Sequence, residues 1–341
     1  MTAGVNRQWL LKNRPEKDVA DTHFELVETA IPQVAEGQIL VRNLFLAFEP
    51  AQRGWLNDVK SYMPPVQIGE PMRSEALGRV VETRHPGFQV GDHVAGSFGW
   101  QDYAAVEGDA GWGVRKVPEG TPITYPLHVY GVTGMTAYFG MQKIAKPKEG
   151  DVFLVSGAAG ATGSVAGQIA RLKGCRVIGI AGGERKCVWL KAKAKFDEVI
   201  DYKNESLAHR LREVCGNSIN IYFDNVGGEI LDTALVNMAQ GCRVVLCGGI
   251  SSGYYKGKQA PGPANYMQLV IRRSRMEGFI VTDYQHEFES ATREMQQWID
   301  AGQITVLEDI DEGFESAPRS LQGLFTGKNF GKQLLKIAEV D

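Results

Sequence analysis

The sequence has few cysteines and histidines, and those present lack the spacing of a metal site or a disulfide framework. The five cysteines are odd in number and include no CxxC pair, and the six histidines do not fall at ligand spacing with them. This pattern argues against disulfides and predicts a protein that holds no zinc. The cysteines are Cys175, Cys187, Cys215, Cys242 and Cys247.

Long apolar runs and a strong net charge are also missing. No segment approaches the roughly eighteen apolar residues of a membrane span, and the N-terminus lacks the apolar stretch of a signal peptide. The net charge of −3 gives no general attraction to nucleic acid or anionic membranes. We therefore expect a cytoplasmic protein that has neither nucleic acid nor a membrane as a partner.

The sequence pattern differs between two parts of the chain. The 341 residues, of which 43% are hydrophobic, are enough for two separate cores. From about 151 to 302, β-branched apolar runs alternate with helical patterns, which predicts an α/β fold with a doubly wound parallel sheet, the Rossmann fold. The strands are expected at Val152–Val155, Arg176–Ile180, Glu198–Ile200, Ile219–Phe223, Arg243–Leu246 and Met276–Val281. The helices are expected at Ser164–Lys173, Arg185–Lys195, Ser206–Val214, Ile230–Ala239, Asn265–Arg273 and Glu287–Ala301.

The first part of the chain is rich in proline and glycine and has short strand-like runs at Ile39–Phe45, Gly78–Thr83 and His93–Ala95. These features predict a β-rich domain over residues 1–127, completed by residues 303–341. The Rossmann domain is then expected over residues 128–302.

Three glycines, Gly157, Gly160 and Gly163, lie where the first predicted strand of the Rossmann region runs into a helix. Small residues at such a turn let the backbone approach a pyrophosphate, whose charge then meets the positive end of the helix. The second strand, Arg176–Ile180, is followed by Gly182 and Gly183 and then by Arg185 and Lys186, which leaves room and positive charge for a 2′-phosphate. This favours NADPH, although Glu184 could either bind the ribose of NADH or begin a helix.

These segments, with others along nearly the whole chain, resemble the zinc-independent medium-chain dehydrogenase/reductase family. This group includes the leukotriene and prostaglandin reductases, the plant alkenal double-bond reductases and bacterial curcumin reductase. The resemblance is carried by NRQWLLKNRP (6–15), SYMPPVQIGEPM (61–72), VGDHVAG (90–96), GMTAYFG (134–140), YFDNVGGE (222–229), CGGIS (247–251), RMEGF (275–279) and GKNFGK (327–332). The cysteine or histidine, the Gly-His-Glu segment and the cysteine lobe of zinc-dependent relatives are absent from the sequence.

The resemblance implies a GroES-like fold for the β-rich domain and NADPH-dependent reduction of the carbon–carbon double bond of enals and enones, by a homodimer. It implies cofactor contacts at Gly160, Ala161, Thr162, Gly163, Lys186, Tyr202, Asn225, Cys247, Gly248, Ile250, Ser251, Phe279, Ile280, Val281, Asn329 and Thr136. Several of these residues also have plain structural explanations, such as a turn at Asn225, a loop cap at Asn329 and a surface lysine at Lys186.

A tyrosine hydroxyl that donates to the substrate oxyanion is implied after CGGIS, where Tyr254 is the first candidate and Tyr255 the second. Relatives often carry Asp-Pro-Tyr-Met-Arg where this chain has Glu49-Pro-Ala-Gln-Arg53, so the substrate preference of a relative does not transfer. Two other functions stay open on the sequence: a zinc-free quinone oxidoreductase and a non-catalytic NADPH-binding sensor.

Overall fold

The computed structural model describes residues 4–109, 113–254 and 261–340. Within these ranges the chain forms two units. The first takes in residues 4–109, 113–127, 254 and 309–340, and the second takes in residues 128–253 and 261–308. None of the helices in the described ranges has the length and apolar character needed to cross a membrane.

The strands are β1 (Val5–Leu11), β2 (Phe24–Ala30), β3 (Gln38–Ala47), β4 (Glu75–Thr83), β5 (His93–Ser97), β6 (Tyr103–Glu107), β7 (Arg115–Lys116), β8 (Val152–Ser156), β9 (Arg176–Ala181), β10 (Glu198–Asp201), β11 (Ile219–Asp224), β12 (Met238–Leu246), β13 (Arg275–Gly278), β14 (Glu308–Glu312) and β15 (Lys332–Lys336). The helices are α1 (Ala51–Trp55), α2 (Val132–Phe139), α3 (Ala161–Leu172), α4 (Glu184–Ala192), α5 (Leu207–Cys215), α6 (Gly228–Val236), α7 (Gln268–Ile271), α8 (Phe288–Asp300) and α9 (Ala317–Thr326).

The first unit is built on an antiparallel sheet. Its strand order is β14-β15-β3-β4-β5-β7, with β6 also paired to β3, and β1 and β2 form a separate ribbon. The core includes Trp100, which is fully buried between the rings of Phe24 and Phe48. The three strand-like runs predicted in this region all lie within strands, which confirms the β-rich class.

The second unit confirms the predicted Rossmann sheet. Its order is β10-β9-β8-β11-β12-β13, and every neighbouring pair is parallel. Numbered from the first strand of this unit, the order is 3-2-1-4-5-6. Helices cover both faces of such a sheet, so its central strands are buried on both sides and read as continuous apolar runs, as in Val152–Val155.

Several predicted elements were wrong at their ends: the strand expected from Arg243 already begins at Met238, and the helix expected to end at Lys195 ends at Ala192. The helix expected at Ile230–Ala239 ends at Val236, because Met238 is buried as the first residue of β12 beside Ile219. The helix expected at Asn265–Arg273 is helical only over the four residues of α7. The strand expected at Met276–Val281 ends at Gly278, and Val281 begins a 3-10 helical turn.

The chain also divides at a different residue from the one expected. Residues 303–308 group with the second unit rather than with the C-terminal part of the first. The Gln168 side chain of α3 accepts a hydrogen bond from the Thr305 N–H at 2.8 Å and donates one to the Thr305 carbonyl at 3.1 Å. Arg171 donates to the Gln303 carbonyl at 2.7 Å. These bonds to α3 explain the shift of the boundary.

Candidate functional site

The order of the parallel sheet reverses between β8 and β11, which are the first and fourth strands of the second unit. In an open sheet of this kind, ligands bind beyond the carboxyl ends of the strands at the point of reversal. Two loops lie there: the glycine turn from Gly157 to Gly160, and the turn from Asn225 to Gly227. Both carry residues predicted from the sequence to contact a cofactor.

The glycine turn leads from β8 directly into the N-terminus of α3. Gly157 has φ +58°, a conformation that favours glycine. A Cβ atom on Gly163 would lie 2.4 Å from the Gly157 carbonyl oxygen, so only glycine allows the helix to start this close to the turn. No acidic residue stands in the first turn of α3, and its first N–H groups, from Ala161 onward, have no side-chain cap. This is a suitable cradle for an anionic pyrophosphate.

The carboxylate of Asp224, at the end of β11, organises the neighbouring turn. Its Oδ1 accepts hydrogen bonds from the Ser156 hydroxyl at 2.9 Å and the Tyr222 hydroxyl at 2.7 Å. The same oxygen accepts from the N–H groups of Val226 at 3.0 Å and Gly227 at 2.9 Å. Burial, and then the nearby carboxylate, raises the pKa of Tyr222 well above its usual value, so this phenol stays a neutral donor.

Asn225 is held against the end of β8. Its N–H donates to the Ser156 hydroxyl at 3.0 Å, and its side-chain Nδ2 donates to the Ser156 carbonyl at 2.7 Å. A Cβ on Gly157 would lie 3.4 Å from the Asn225 Cβ, so the two loops are in contact. The amide of Asn225 is thus a fixed part of the sheet's carboxyl edge.

The segment Cys247–Ser251 follows β12 and is bonded to the turn after β11. The N–H of Cys247 donates to the Asp224 carbonyl at 2.9 Å, and the N–H of Ser251 donates to the Val226 carbonyl at 3.1 Å. The predicted residues Cys247, Gly248, Ile250 and Ser251 therefore lie beside Asn225 at the same edge of the sheet.

Two further predicted segments belong to this unit. Phe279, Ile280 and Val281 directly follow the carboxyl end of β13. A Cβ on Gly140 would lie 2.7 Å from the Phe223 ring and 3.0 Å from the Phe279 ring, so Phe279 packs beside the end of α2. Thr136 is a half-buried residue of α2.

The carboxyl ends of β9 and β10 lie at the same edge of the sheet, on the opposite side of β8 from β11. The carboxylate of Asp201 accepts the Gly183 N–H at 2.8 Å, and a Cβ on Gly182 would lie 2.8 Å from the Tyr202 ring. Partial burial of Asp201 opposes ionisation, but hydrogen bonds from Gly183 and from the residues after β10 outweigh it and lower its pKa. Lys186 is half-buried in the first turn of α4, near this end of the sheet.

Two remaining candidates belong to the first unit. The Tyr254 carbonyl accepts a 2.7 Å hydrogen bond from Asn57 Nδ2, and the Tyr254 ring meets the Phe325 ring edge-on with centroids 6.5 Å apart. Tyr254 has φ +54°, a left-handed conformation that costs a residue with a side chain about 1 kcal/mol or more. Asn329 donates from Nδ2 to the Gly331 carbonyl at 3.2 Å. Tyr255 lies outside the described residues.

The second unit therefore brings most of the predicted cofactor residues to one edge of its sheet, and Tyr254 and Asn329 belong to the first unit. Sequence reasoning missed Ser156, Asp224 and Asp201, which fix the loops, and Asn57, which holds Tyr254. The Asp-Asn-Val-Gly-Gly run after β11 carried a usable signal, because aspartate at such a turn accepts N–H groups two and three residues ahead. No group of three or more histidine, cysteine, aspartate or glutamate residues suited to a metal ion occurs in the described ranges.

Comparison with known proteins places both units among oxidoreductases. A family model described as the N-terminal domain of oxidoreductase matches residues 7–114, and one described as zinc-binding dehydrogenase matches residues 161–297. The NADPH-dependent curcumin reductase of Escherichia coli is 39% identical over 98% of both chains. The NADP(+)-dependent 2-alkenal reductase of Nicotiana tabacum is 37% identical over 98% of both chains.

Solved structures match equally widely. CurA from Vibrio vulnificus, in complex with NADPH, superposes with a TM-score of 0.92 at 41% identity, over 98% of this chain and 100% of that one. A quinone oxidoreductase of Escherichia coli complexed with NADPH has a TM-score of 0.77 at 22% identity, over 97% of this chain and 99% of that one, which shows the shared fold alone.

Proposed function

Because this chain belongs to the medium-chain dehydrogenase/reductase family, we propose that it is an NADPH-dependent reductase of the carbon–carbon double bond in α,β-unsaturated aldehydes and ketones. The observation that carries this proposal is the similarity, over 98% of both chains, to reductases of curcumin and 2-alkenals that use NADP(H). In the reaction, hydride and a proton add across the double bond, and NADPH leaves as NADP⁺. The product is the saturated carbonyl compound.

The loops at the reversal of the sheet fit this cofactor. The N–H groups of Ala161, Thr162 and Gly163, at the uncapped start of α3, would hold the pyrophosphate, and Gly160, whose own N–H donates to the Gly157 carbonyl, would approach it just before the helix. Asn225 would bind nearby, since Ser156 fixes its amide at the carboxyl edge of the sheet. When bound, NADPH supplies the hydride.

The adenosine end of the cofactor would lie at β9 and β10. Lys186 would pair with the 2′-phosphate and Tyr202 would pack beside it, next to Gly182. Asp201, the acid at the end of β10, already accepts hydrogen bonds from Gly183 and from residues that follow β10. These features favour NADPH over NADH.

We assign four parts of the chain to the nicotinamide half of the cofactor: the segment after β12, the segment after β13, a residue of α2 and a residue of the loop before β15. These residues are Cys247, Gly248, Ile250, Ser251, Phe279, Ile280, Val281, Thr136 and Asn329.

Tyr254 is the proposed catalytic residue. A carbonyl withdraws electrons from the β-carbon, so hydride adds there and negative charge develops on the carbonyl oxygen. A tyrosine hydroxyl donates a hydrogen bond to this enolate oxygen and stabilises it, and the α-carbon is then protonated. Tyr255 is the second candidate for the same role.

We also propose a homodimer whose interface lies on the second unit. Among the described residues β13 pairs only with β12, so its other edge is open. Shortly before β13 in the chain, in and just before α7, four apolar side chains are more than half exposed: Tyr266, Met267, Val270 and Ile271. An open strand edge and an exposed apolar segment each suit contact with a second copy of the chain. Light scattering after size exclusion should give a dimer mass for the wild type and a lower mass for Val270→Glu; a wild-type monomer contradicts this proposal.

A substrate panel tests the activity. NADPH and NADH oxidation is followed with a short alkenal, with curcumin as a bulky enone, and with a benzoquinone. We expect alkenal or enone turnover that prefers NADPH and falls strongly in Tyr254→Phe while NADPH binding is retained. Turnover of the quinone alone would indicate the quinone oxidoreductase, and NADPH binding without any turnover would indicate a sensor. Either of these results contradicts the proposal.

A further inference from the structure

The main chain at Tyr254 is anchored by a side chain far away in the sequence. Asn57 Nδ2 donates a 2.7 Å hydrogen bond to the Tyr254 carbonyl, across 197 positions of the chain. Gly253 and Tyr254 have φ +65° and +54°, so two successive left-handed residues direct this carbonyl. The bond to Asn57 therefore fixes a piece of backbone whose conformation a residue with a side chain rarely adopts.

The orientation of the Asn57 amide is determined by its two partners. Its Oδ1 accepts a 2.8 Å hydrogen bond from the Arg53 guanidinium, which can only donate. The Tyr254 carbonyl can only accept, so the amide nitrogen must face Tyr254. Arg53 is 1% exposed and also donates to the Lys17 carbonyl at 3.0 Å and the Pro15 carbonyl at 2.9 Å. The buried Arg53 guanidinium thus fixes the orientation of the Asn57 amide through a hydrogen bond to its oxygen.

The ring of Tyr254 contacts the same part of the first unit. A Cβ on Gly54, one turn before Asn57, would lie 3.9 Å from the Tyr254 Cδ1 atom. The Phe325 ring meets the Tyr254 ring edge-on at an interplanar angle of 82°. The carbonyl hydrogen bond and these two ring contacts restrict the position of the Tyr254 ring, and with it that of the phenol hydroxyl.

We propose that Asn57, oriented by Arg53, is a positioning residue for the Tyr254 hydroxyl. The inference rests on the proposed function, in which this hydroxyl donates to the developing enolate oxygen. Such stabilisation depends on the donor being fixed before the charge develops, and a displacement of about 1 Å is enough to lower the rate. Asn57 acts through the Tyr254 main chain.

Asn57→Asp is the direct test, because it keeps the shape of the side chain but replaces the donating nitrogen with an oxygen that faces the Tyr254 carbonyl. We expect kcat with the best enone of the panel to fall about tenfold or more, with the dissociation constant for NADPH within about twofold of wild type. In the Tyr254→Phe background the same substitution should change kcat by less than about twofold, because the group that it positions is gone. If Asn57→Asp merely weakened the packing of the folded protein, kcat would instead fall by the same factor in both backgrounds.

Asn43→Asp is the matched control. Asn43 is 1% exposed in the same unit and donates from Nδ2 to the Gln101 carbonyl at 2.8 Å, with no bond to Tyr254. Its replacement also introduces a buried carboxylate next to a carbonyl oxygen, but without a cation such as Arg53, so it perturbs the fold at least as strongly as Asn57→Asp does. It should keep kcat within about twofold of wild type.

A second readout does not depend on turnover. Chymotrypsin cleaves after tyrosine, and the rate of cleavage after Tyr254 is followed from the masses of the peptides. Loss of the hydrogen bond to the Tyr254 carbonyl should accelerate this cleavage about threefold or more in Asn57→Asp, but not in Asn43→Asp.

The outcomes separate this inference from the proposed function. If the wild type reduces no enone, or if Tyr254→Phe keeps the wild-type kcat, the catalytic proposal fails, and the cleavage rate alone decides whether Asn57 positions Tyr254. If Tyr254→Phe is impaired, an unchanged kcat in Asn57→Asp, or equal losses in both backgrounds, overturns the positioning role. Unchanged cleavage after Tyr254 overturns it in every case.

Discussion

The cofactor loops of the second unit and the Tyr254 contact of the first are held by different means. At the sheet's carboxyl edge, Asp224 alone accepts four hydrogen bonds, and Ser156 fixes Asn225 from two sides. The contacts that hold Tyr254 include a hydrogen bond from one distant side chain and two ring contacts. The second unit therefore fixes its loops with residues that end its own strands, whereas the first unit holds Tyr254 with Asn57, a side chain 197 positions away.

The largest effect should come from a buried ion pair that supports this long-range arrangement in the first unit. The Lys332 ammonium is fully buried, is paired with the Glu49 carboxylate just before α1, and donates to the Phe48 carbonyl at 3.2 Å. Glu49→Leu leaves this charge unpaired and should lower the free energy of unfolding by about 3–5 kcal/mol in urea titrations. Adding Lys332→Met should restore most of the loss. A double variant as unstable as the single one would show that the pair is not the source.

The next effect tests the cofactor side. Gly163→Ala places a Cβ 2.4 Å from the Gly157 carbonyl oxygen, so the turn must open by an amount that costs about 2–3 kcal/mol. NADPH should bind about 30- to 100-fold more weakly in a fluorescence titration. Gly323→Ala in α9 is the control, because its Cβ meets nothing within 4 Å. It should raise the free energy of unfolding by about 0.5–1 kcal/mol and leave NADPH affinity unchanged.

A smaller effect is expected at the other end of the cofactor. Lys186→Ala should weaken NADPH binding about tenfold and leave NADH binding nearly unchanged, because only NADPH carries the 2′-phosphate. Lys193, exposed just after the end of the same helix α4, is the matched control for the loss of one positive charge. If the affinities for NADPH and NADH fell equally, Lys186 would not contact the 2′-phosphate.

The smallest effect concerns the pH dependence of stability. The pKa of Asp201 is lowered from its ordinary value of 3.8 in the folded chain, so its contribution to stability is present above about pH 4 and is lost as the pH falls through the folded pKa. Asp201→Asn should therefore be less stable than wild type at pH 7, with a difference that shrinks towards pH 3. Asp300→Asn, exposed at the end of α8, controls for the change in net charge. A difference that grows on acidification contradicts this assignment.

The sequence predicts most of the second unit because its signals are local. Parallel strands covered on both faces appear in the sequence as short apolar runs, and the glycine turn is recognised by its closely spaced glycines between a predicted strand and a predicted helix. One prediction error fell where a helix is followed by a strand within two residues, at Met238. The homodimer and the cytoplasmic location stay predictions.

The residues that hold the site in place could be predicted only in part. The role of Asp224 could have been predicted, since an aspartate at the start of a glycine-containing turn commonly accepts hydrogen bonds from the N–H groups that follow it. Asn57 was not, because its partner Tyr254 lies 197 positions away and no local pattern links them. Nor does the sequence reveal that Arg53 is buried and orients Asn57, since a single arginine in a polar stretch is usually exposed.

The most direct test of the central claim follows the hydride itself. An enone is reduced with NADPH that carries deuterium at the transferable position of the nicotinamide, and the product is examined by NMR and mass spectrometry. The account predicts a saturated ketone with one deuterium at the former β-carbon. Deuterium on the carbonyl carbon, in an alcohol that keeps its double bond, would contradict it.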